Sequence, residues 1–188
     1  MRVDHGIIMA RGDSKRMGSP KGAVLFNGKP LLEHSCKPFG QNGIKFTVVT
    51  TPELLACYEK LIGECSWLLY RAGEGTARTC KYAFDDLRYR ATHLWLMPID
   101  LPSVKKETVV KIKEASLANN DSVIIPTYNE LRGHPVVVPI TSFEKIDEQL
   151  WQLEMRDVIN SLSCEIKYLQ VDDHGIVNDC DTQSDLEK

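Results

Sequence analysis

The chain has 188 residues, of which 43% are hydrophobic and 26% are charged, and its formal net charge is −3 at pH 7. This length and composition are typical of one globular domain, residues 1–188, that buries its core without disulfides or structural metals. The acidic balance argues against a general nucleic-acid-binding protein, because such proteins carry a basic excess that neutralises phosphates.

The cysteines and the apolar segments indicate the cellular compartment in which the protein is expected. Six cysteines are scattered without a Cys-x-x-Cys pair, which disfavours a structural zinc site or a disulfide framework. The N-terminus has no signal-like apolar core, and no stretch reaches the roughly 20 apolar residues that span a bilayer. We therefore expect a cytoplasmic protein with neither a membrane nor a nucleic-acid partner.

A short apolar run near the N-terminus leads into a loop of glycines and basic residues. The run from Val3 to Met9 predicts a buried strand, and the loop begins at Ala10. Glycines let backbone N–H groups approach an anion, and basic side chains neutralise its charge. The loop contains two glycines and four cations, namely Gly12, Gly18, Arg11, Lys15, Arg16 and Lys21. A phosphate-binding loop and a solvated basic loop both explain this composition, and neither a Walker loop nor a Gly-x-Gly-x-x-Gly fingerprint occurs in it.

Strand and helix signals alternate along the rest of the chain. The Asn27-Gly28 pair predicts a tight turn, and Pro30 suits the start of the helix that follows. Apolar periodicity predicts further strands at 44–50, 67–70, 93–99, 122–126, 136–138 and 165–171, and helices at 31–39, 52–62, 76–87, 105–119 and across most of 140–162. This alternation indicates an α/β domain with a largely parallel sheet. Trp151 and Met155 are candidates for an apolar acceptor pocket or for the core.

The loop at residues 71–78 opens one of the predicted helices. Helix N-termini attract anions, and Thr76 is a candidate N-cap there. Thr79 or Arg78 would then lie near a bound ligand, and a plain strand-to-helix turn explains the same residues at least as well.

One carboxylate ends the most apolar of the predicted strands. Asp100 follows the run that begins at His93 and lies between Pro98 and Pro102. Ligands of open α/β sheets collect outside the carboxyl ends of strands, and Mg²⁺ prefers oxygen ligands that it shares with substrate phosphates. Asp100 is thus a candidate metal ligand, and the alternative is that it caps a helix starting near Ser103.

Four motifs resemble one family in the order in which they occur. The spacing Gly-x-Ser-x-Arg-Met-Gly-x-Pro-Lys over residues 12–21 resembles the signature of the nucleotidyltransferases that include the molybdenum-cofactor guanylyl- and cytidylyltransferases. Pro-Ile-Asp-Leu-Pro at 98–102 resembles the metal-binding motif of that family, Gly-His-Pro at 133–135 its cytidylyltransferase-like branch, and the acidic tail around Asp181 its closing motif. The resemblance implies a single Rossmann-like three-layer α/β domain with a mostly parallel, mixed sheet, similar to that of nucleotide-diphospho-sugar transferases.

The resemblance also implies an activity. A Mg²⁺-dependent enzyme of this family joins a nucleoside monophosphate from a nucleoside triphosphate to the phosphate of the molybdopterin cofactor and releases pyrophosphate. The Gly-His-Pro motif favours CTP, with GTP as the other candidate, and implies maturation of molybdenum hydroxylases, with a hydroxylase apo-enzyme as a further partner. The alternatives are a non-catalytic cofactor carrier or insertion chaperone and a sugar-phosphate nucleotidyltransferase.

Carried over residue by residue, the resemblance assigns roles to specific side chains. It implies that Arg16, Lys21 and Asp100 are catalytic, and that Asp100 and Asp181 hold the metal. The implied nucleotide and substrate contacts are Ala10, Arg11, Gly12, Ser14, Arg16, Gly18, Lys21, Gly75, Thr76 and His134, of which His134 is expected near the acceptor. Arg11 departs from the family, which has a small residue there, and this departure bears on nucleotide choice.

Overall fold

Consecutive apolar side chains give the N-terminal strand β1, Asp4–Met9, two buried faces. Ile7 and Met9 pack into one hydrophobic core, and Ile8 and Ala10 pack into another. A strand that is buried on both faces is typical of a parallel sheet covered by helices on either side. The computed structural model describes residues 1–10, 19–71, 73–182 and 185.

Strands and helices follow one another along most of the described chain. After β1, the strands are β2 Leu25–Phe26, β3 Lys29–Pro30, β4 Lys45–Thr50, β5 Ser66–Leu69, β6 His93–Pro98, β7 Val123–Tyr128, β8 Leu131–Arg132, β9 Val136–Pro139 and β10 Ile166–Gln170. The helices are α1 Leu31–Gln41, α2 Pro52–Tyr58, α3 Thr76–Leu87, α4 Lys106–Ala118 and α5 Met155–Asn160. Short 3-10 turns occupy Lys21–Ala23, Ile140–Ser142, Glu148–Gln152 and His174–Ile176.

The main sheet is mixed and mostly parallel. Its strand order is β10-β7-β9-β6-β1-β4-β5, with β8 paired to β7. β1 pairs in parallel with both β4 and β6, whereas β9 runs antiparallel to β6 and β7. The predicted fold class, a three-layer α/β domain with a mostly parallel, mixed sheet, is confirmed.

Helices cover both faces of the sheet. Helices α1, α2 and α4 contribute Phe39, Tyr58 and Ile112 to the core on one face, where Trp95 is fully buried. On the other face, α3 and α5 contribute Phe84 and Val158. Each fully buried large side chain contributes about 1.5–3 kcal/mol through removal of its apolar surface from water. The two cores therefore fix the helices against the sheet.

The order in which strands are added to the sheet reverses at β1. It passes from β1 to β4 and β5 on one side, and then returns to place β6 on the other side of β1. Met9, the last residue of β1, lies opposite Pro98, the last residue of β6. Because both strands end at the same edge, the segments that follow Met9 and Pro98 meet there, at the point where open α/β sheets bind ligands.

Three local predictions differ from the structure. The segment 140–162 is not mostly helical, because only α5 is an α-helix and the rest is 3-10 turns and extended chain. Helix α2 ends at Tyr58, so Leu61 and Ile62 belong to the following turn. Thr76 is the first residue of α3 rather than its cap, and the N-cap position is taken by Gly75 without a side-chain hydrogen bond.

Candidate functional site

Two carboxylates from distant parts of the chain meet around one lysine at the edge where β1 and β6 end. The Nζ atom of Lys21 donates to Oδ2 of Asp100 at 2.9 Å and also to Oδ1 of Asp181. The lysine side chain is 12% exposed, whereas those of Asp100 and Asp181 are 25% and 46% exposed. The predicted pairing of Asp100 with Asp181 at one place is thus present, and a cation lies between them.

Asp100 is positioned by the turn after β6. The hydroxyl of Ser35, on helix α1, donates to the carbonyl oxygen of Ile99 at 2.8 Å. The backbone N–H of Cys180 donates to the carbonyl oxygen of Asp100 at 2.8 Å. The second bond places Asp181, the next residue, directly beside Asp100. Helix α4 begins at Lys106, so Asp100 does not cap it and the alternative role for Asp100 is wrong.

Lys21 is positioned by the close packing of its neighbour, Gly22. A Cβ atom on Gly22 would lie 2.7 Å from Cδ1 of Ile99 and 2.9 Å from Cε1 of Tyr58. The backbone N–H of Gly22 also donates to the hydroxyl of Tyr58 at 3.1 Å. The absence of a side chain at Gly22 therefore lets the turn at Lys21–Ala23 lie against the residue that precedes Asp100.

The tail that carries Asp181 is fastened across the same edge of the sheet. Asp173, only 2% exposed, accepts hydrogen bonds from the backbone N–H of Lys105 at 2.9 Å and from the hydroxyl of Thr108. Its other oxygen accepts from the N–H of Gly175 at 3.0 Å. The carbonyl oxygen of Ile176 accepts from the N–H of His134 at 3.0 Å. Asp173 thus ties the tail to the start of α4 and was missed in the sequence, although Asp-x-Gly is a turn signal.

The electrostatics of this cluster favour a bound cation. Burial opposes charge on Lys21, but the hydrogen bonds and negative charges of Asp181 and Asp100 outweigh it and raise the pKa of the ammonium group. The ammonium group shows that the two carboxylates converge on a cation. With the ammonium group displaced, Asp100 and Asp181 would offer two oxygen ligands to a divalent metal. Among the described residues no group of three or more His, Cys, Asp and Glu side chains is arranged to bind a metal. Mg²⁺ commonly uses one or two carboxylates together with substrate phosphates and water.

A cleft of about 720 Å³ adjoins Asp100, a volume suited to a small-molecule ligand. Residues of β1, β6, β7, β8 and β9 line it, together with the first residue of α3 and part of α5. Met155 supplies apolar surface, and the charged residues of the lining are two arginines and four carboxylates, namely Arg132, Arg156, Asp100, Glu130, Glu154 and Asp179. Trp151 instead packs in the core against Phe84 and Phe143.

His134 lines this cleft with a defined hydrogen-bonding pattern. Its Nδ1 lies 3.2 Å from the carbonyl oxygen of Leu96. Burial lowers the pKa of His134, although the bond to Leu96 and the charge of Asp100 oppose this effect. Because a carbonyl oxygen only accepts, Nδ1 of the neutral ring carries the proton and Nε2 is left as a hydrogen-bond acceptor.

The remaining predicted contacts are distributed unevenly around the site. Thr76 lines the cleft together with Asp100 and His134. Gly75 precedes α3 outside that lining, and its carbonyl oxygen accepts from the hydroxyl of Thr79 at 3.0 Å. Ala10 is fully buried, and its N–H donates to the carbonyl oxygen of Val49 at 3.0 Å. The predicted contacts Arg11, Gly12, Ser14, Arg16 and Gly18 lie outside the described residues.

Comparisons with known proteins agree with this architecture. A family model described as the MobA-like NTP transferase domain matches residues 6–166. A curated relative from Geobacillus sp. (strain WCH70), named probable molybdenum cofactor guanylyltransferase, is 21% identical over 184 residues, which cover 89% of this chain and 86% of the relative. The crystal structure of Rv0371c from Mycobacterium tuberculosis H37Rv covers 100% of both chains with a TM-score of 0.82 at 21% identity. The complex of Rv0371c with manganese has a TM-score of 0.77 at 19% identity, covering 98% of this chain and 96% of that one.

The solved structures show the fold, and the family model adds the class of reaction. None of the described helices is both long and apolar enough to cross a membrane. The matched region begins in β1 and ends at the start of β10, so it includes Lys21, Asp100 and His134. Since the match covers far more than half of the chain, the protein belongs to the MobA-like NTP transferase domain family and is a nucleotidyltransferase.

Proposed function

We propose that the protein is a Mg²⁺-dependent enzyme that transfers a nucleoside monophosphate from a nucleoside triphosphate to the phosphate of molybdopterin and releases pyrophosphate. The observation that carries the proposal is the convergence of Asp100, Asp181 and Lys21 at the edge of the sheet beside β1. Two anions and one cation at this place suit a metal and a triphosphate, because nucleotidyl transfer depends mainly on positioning and charge neutralisation.

Each residue of the cluster has a role in this proposal. Asp100 and Asp181 hold the metal, which when bound neutralises charge on the phosphates. Lys21 reaches the triphosphate from the turn after the basic loop, and Arg16 is the proposed second cation of the loop. Since a phosphate acceptor is already anionic near neutral pH, no side chain has to remove a proton from it.

The cleft beside Asp100 is the proposed site of the acceptor. Its volume of about 720 Å³ and its apolar lining suit a ring system, and Arg132 and Arg156 are the cations that would meet an anionic group on it, beside the carboxylates Asp100, Glu130, Glu154 and Asp179. His134 presents Nε2 as an acceptor for an N–H group, of which the pterin ring has several. Support for molybdopterin itself comes from the Geobacillus relative, whose name includes the molybdenum cofactor.

Two observations favour different nucleotides. The Gly-His-Pro sequence at 133–135 resembles the cytidylyltransferase-like branch, which favours CTP and service to a molybdenum hydroxylase. The name guanylyltransferase, carried by the curated relative, favours GTP. We propose CTP as the donor and GTP as the second candidate.

Calorimetric titration of the purified protein with CTP, GTP, ATP and UTP, each with and without Mg²⁺, tests the donor. We expect tight binding of CTP that depends on Mg²⁺. Tight binding of GTP instead would assign the second candidate. Absence of binding by all four nucleotides would contradict a transferase and favour a non-catalytic cofactor carrier.

Substitution Asp100→Asn tests the metal site directly. We expect pyrophosphate release from the nucleotide and molybdopterin to fall by at least 100-fold, because a neutral amide holds a divalent cation far less well than a carboxylate. Circular dichroism should show an unchanged fold, since Asp100 is at the surface of the cleft. Turnover within a few-fold of that of the unmodified enzyme would disprove the assignment of Asp100 to the metal.

A further inference from the structure

Lys21 occupies the space that a metal held by both carboxylates would need. Its Nζ is within hydrogen-bonding distance of Asp100 and of Asp181, and its side chain is the most buried of the three. An ammonium group and a divalent cation cannot both lie between the same two oxygen atoms. Lys21 therefore has two possible partners, the carboxylates seen here and the phosphates of a substrate.

We propose that Lys21 is an internal counter-ion that holds Asp100 and Asp181 together in the nucleotide-free protein and competes with a divalent cation for them. This inference rests on the proposed function, in which the same two carboxylates hold the metal. It predicts an effect opposite to that of an ordinary phosphate-binding lysine, because removal of the lysine should strengthen the binding of metal alone.

The charges and the chain around Lys21 support this role. Without a cation between them, two carboxylates brought together by the Cys180–Asp100 backbone hydrogen bond would repel each other. A lysine carries its charge on a flexible four-carbon stem, so the ammonium group can move while the backbone at Gly22 stays packed against Ile99 and Tyr58.

The competition couples the binding of metal to that of triphosphate. A metal that binds without triphosphate must displace Lys21 from the two carboxylates. The ammonium group of Lys21 then loses both partners while its side chain stays largely buried. A triphosphate supplies that partner, so each ligand should increase the affinity for the other by the same factor. A lysine that contacted phosphate alone would oppose free metal only through charge repulsion, which salt screens, so its removal should raise the affinity for free metal much less.

Mn²⁺ binding, measured by the loss of the electron paramagnetic resonance signal of the free ion, tests the proposal. The proteins are the unmodified chain and the variant Lys21→Met, each with and without inorganic tripolyphosphate as a probe that has no base. Without tripolyphosphate, we expect Lys21→Met to bind Mn²⁺ at least tenfold more tightly. Tripolyphosphate should tighten Mn²⁺ binding at least tenfold in the unmodified protein and clearly less in the variant.

Lys81→Met is the matched control. Lys81 also lies between two carboxylates, with its Nζ 2.7 Å from Asp85 and 3.6 Å from Glu148, but on the outer surface of α3. This variant loses the same charge and frees Asp85, while Glu148 keeps its ion pair with Arg78, so it measures the nonspecific effect on Mn²⁺ binding. We expect its Mn²⁺ affinity to stay within twofold of that of the unmodified protein. An equal increase in Mn²⁺ affinity in Lys21→Met and Lys81→Met would overturn the inference.

The double variant Lys21→Met with Asp100→Asn separates the two proposals. We expect it to lose the gain in Mn²⁺ affinity. If Lys21→Met binds Mn²⁺ no more tightly than the unmodified protein, while Asp100→Asn weakens binding in the presence of tripolyphosphate, the competition is disproved and the metal site stands. If Asp100→Asn changes Mn²⁺ binding under neither condition, the proposed metal site itself is disproved.

A measurement on the unmodified protein covers the case in which Lys21→Met does not fold. Nuclear magnetic resonance of the lysine ammonium groups, with Lys21→Arg used for assignment, reports whether the Lys21 signal changes. We expect Mg²⁺ with tripolyphosphate to shift this signal, and Mg²⁺ alone at the same concentration to shift it much less. An equal shift under both conditions would contradict the coupling.

Discussion

Gly22 shows how much the site depends on the close approach of two backbone segments. The Cβ of any other residue at this position would overlap the side chains of Ile99 and Tyr58, at 2.7 and 2.9 Å. These neighbours belong to the turn that carries Asp100 and to helix α2. The small size of Gly22 therefore sets how closely Lys21 lies to Asp100.

Substitution Gly22→Ala should disturb this packing. We expect it to lower the free energy of unfolding by about 1–3 kcal/mol, the usual effect of an added group in a close-packed interior. It should also weaken Mn²⁺ binding in the presence of tripolyphosphate, because a shift of the turn at Lys21–Ala23 would place the ammonium group of Lys21 less well for the phosphates. Urea denaturation and Mn²⁺ titration measure the two effects.

Gly40→Ala provides the control for Gly22→Ala. Gly40 lies in α1, and a Cβ atom added there would have no neighbour within 4 Å, so the new methyl group meets open space. We expect no loss of stability and a gain of up to about 1 kcal/mol, because alanine favours a helix more than glycine does. Equal destabilisation by the two substitutions would contradict the packing argument.

Part of the site could be predicted from single residues. A lone carboxylate at the end of an apolar strand pointed to Asp100, and the structure places it at the predicted edge of the sheet. The bridging position of Lys21 could not be predicted, because it depends on a backbone hydrogen bond between residues 100 and 180 that no local pattern records. The metal roles of Asp100 and Asp181 stay predictions.

At the scale of the element, the tail that carries Asp181 is held by one buried carboxylate. Asp173 accepts from the start of α4 and from its own turn, so its loss would leave several donors unsatisfied. We expect Asp173→Ala to lower the free energy of unfolding by roughly 2–3 kcal/mol, since hydrogen bonds to a charged group contribute strongly and unsatisfied buried groups are costly. The expected loss should appear in urea denaturation.

Asp172→Ala is the matched control, because Asp172 is exposed beside the buried Asp173. Its substitution should change the free energy of unfolding by no more than about 0.5 kcal/mol, as is usual for surface positions. Asp173→Ala should in addition weaken Mn²⁺ binding, because the tail also positions Asp181. A destabilised variant with unchanged Mn²⁺ affinity would show that the tail is held independently of Asp173.

Elements with a strong local signal could be predicted, and those formed by tertiary packing could not. The Asn27-Gly28 turn is confirmed, because both residues adopt positive φ angles, 49° and 76°, between β2 and β3. The segment 140–162 has helical spacing of its apolar residues, yet Phe143 and Trp151 insert into a cluster with Phe84. Filling that cluster fixes the chain as short turns, which a periodicity argument cannot distinguish from a helix.

At the scale of the whole molecule, buried histidines make stability depend on pH. Burial lowers the pKa of His93, and the nearby Arg2 adds to this effect, although the hydrogen bond to the carbonyl oxygen of Asn120 and the charge of Asp4 oppose it. Burial also lowers the pKa values of His5 and His134. These residues stay neutral in the folded protein at pH values where the unfolded chain takes up protons.

The free energy of unfolding should therefore fall as the pH drops below about 6.5, the ordinary pKa of histidine. The unfolded state binds more protons than the folded state in this range, so stability rises with pH and levels off above about pH 7. Urea denaturation between pH 5 and pH 8 measures the slope, which His93→Gln should reduce. A free energy of unfolding that increases on acidification over this range would contradict the lowered pKa values of these histidines.

The bond between Cys180 and Asp100 also has a consequence for protein synthesis. Strands β1, β4, β5 and β6 come from roughly the first hundred residues, so a growing chain can pair them early. Cys180 lies 80 positions after Asp100, and the carboxylate cluster cannot form until the ribosome has released that part of the tail. Because domains fold as their segments emerge, a nascent chain would already have its central strands while still lacking the site. A ribosome-bound fragment ending before residue 170 should accordingly resist proteolysis within roughly its first hundred residues and fail to retain Mn²⁺.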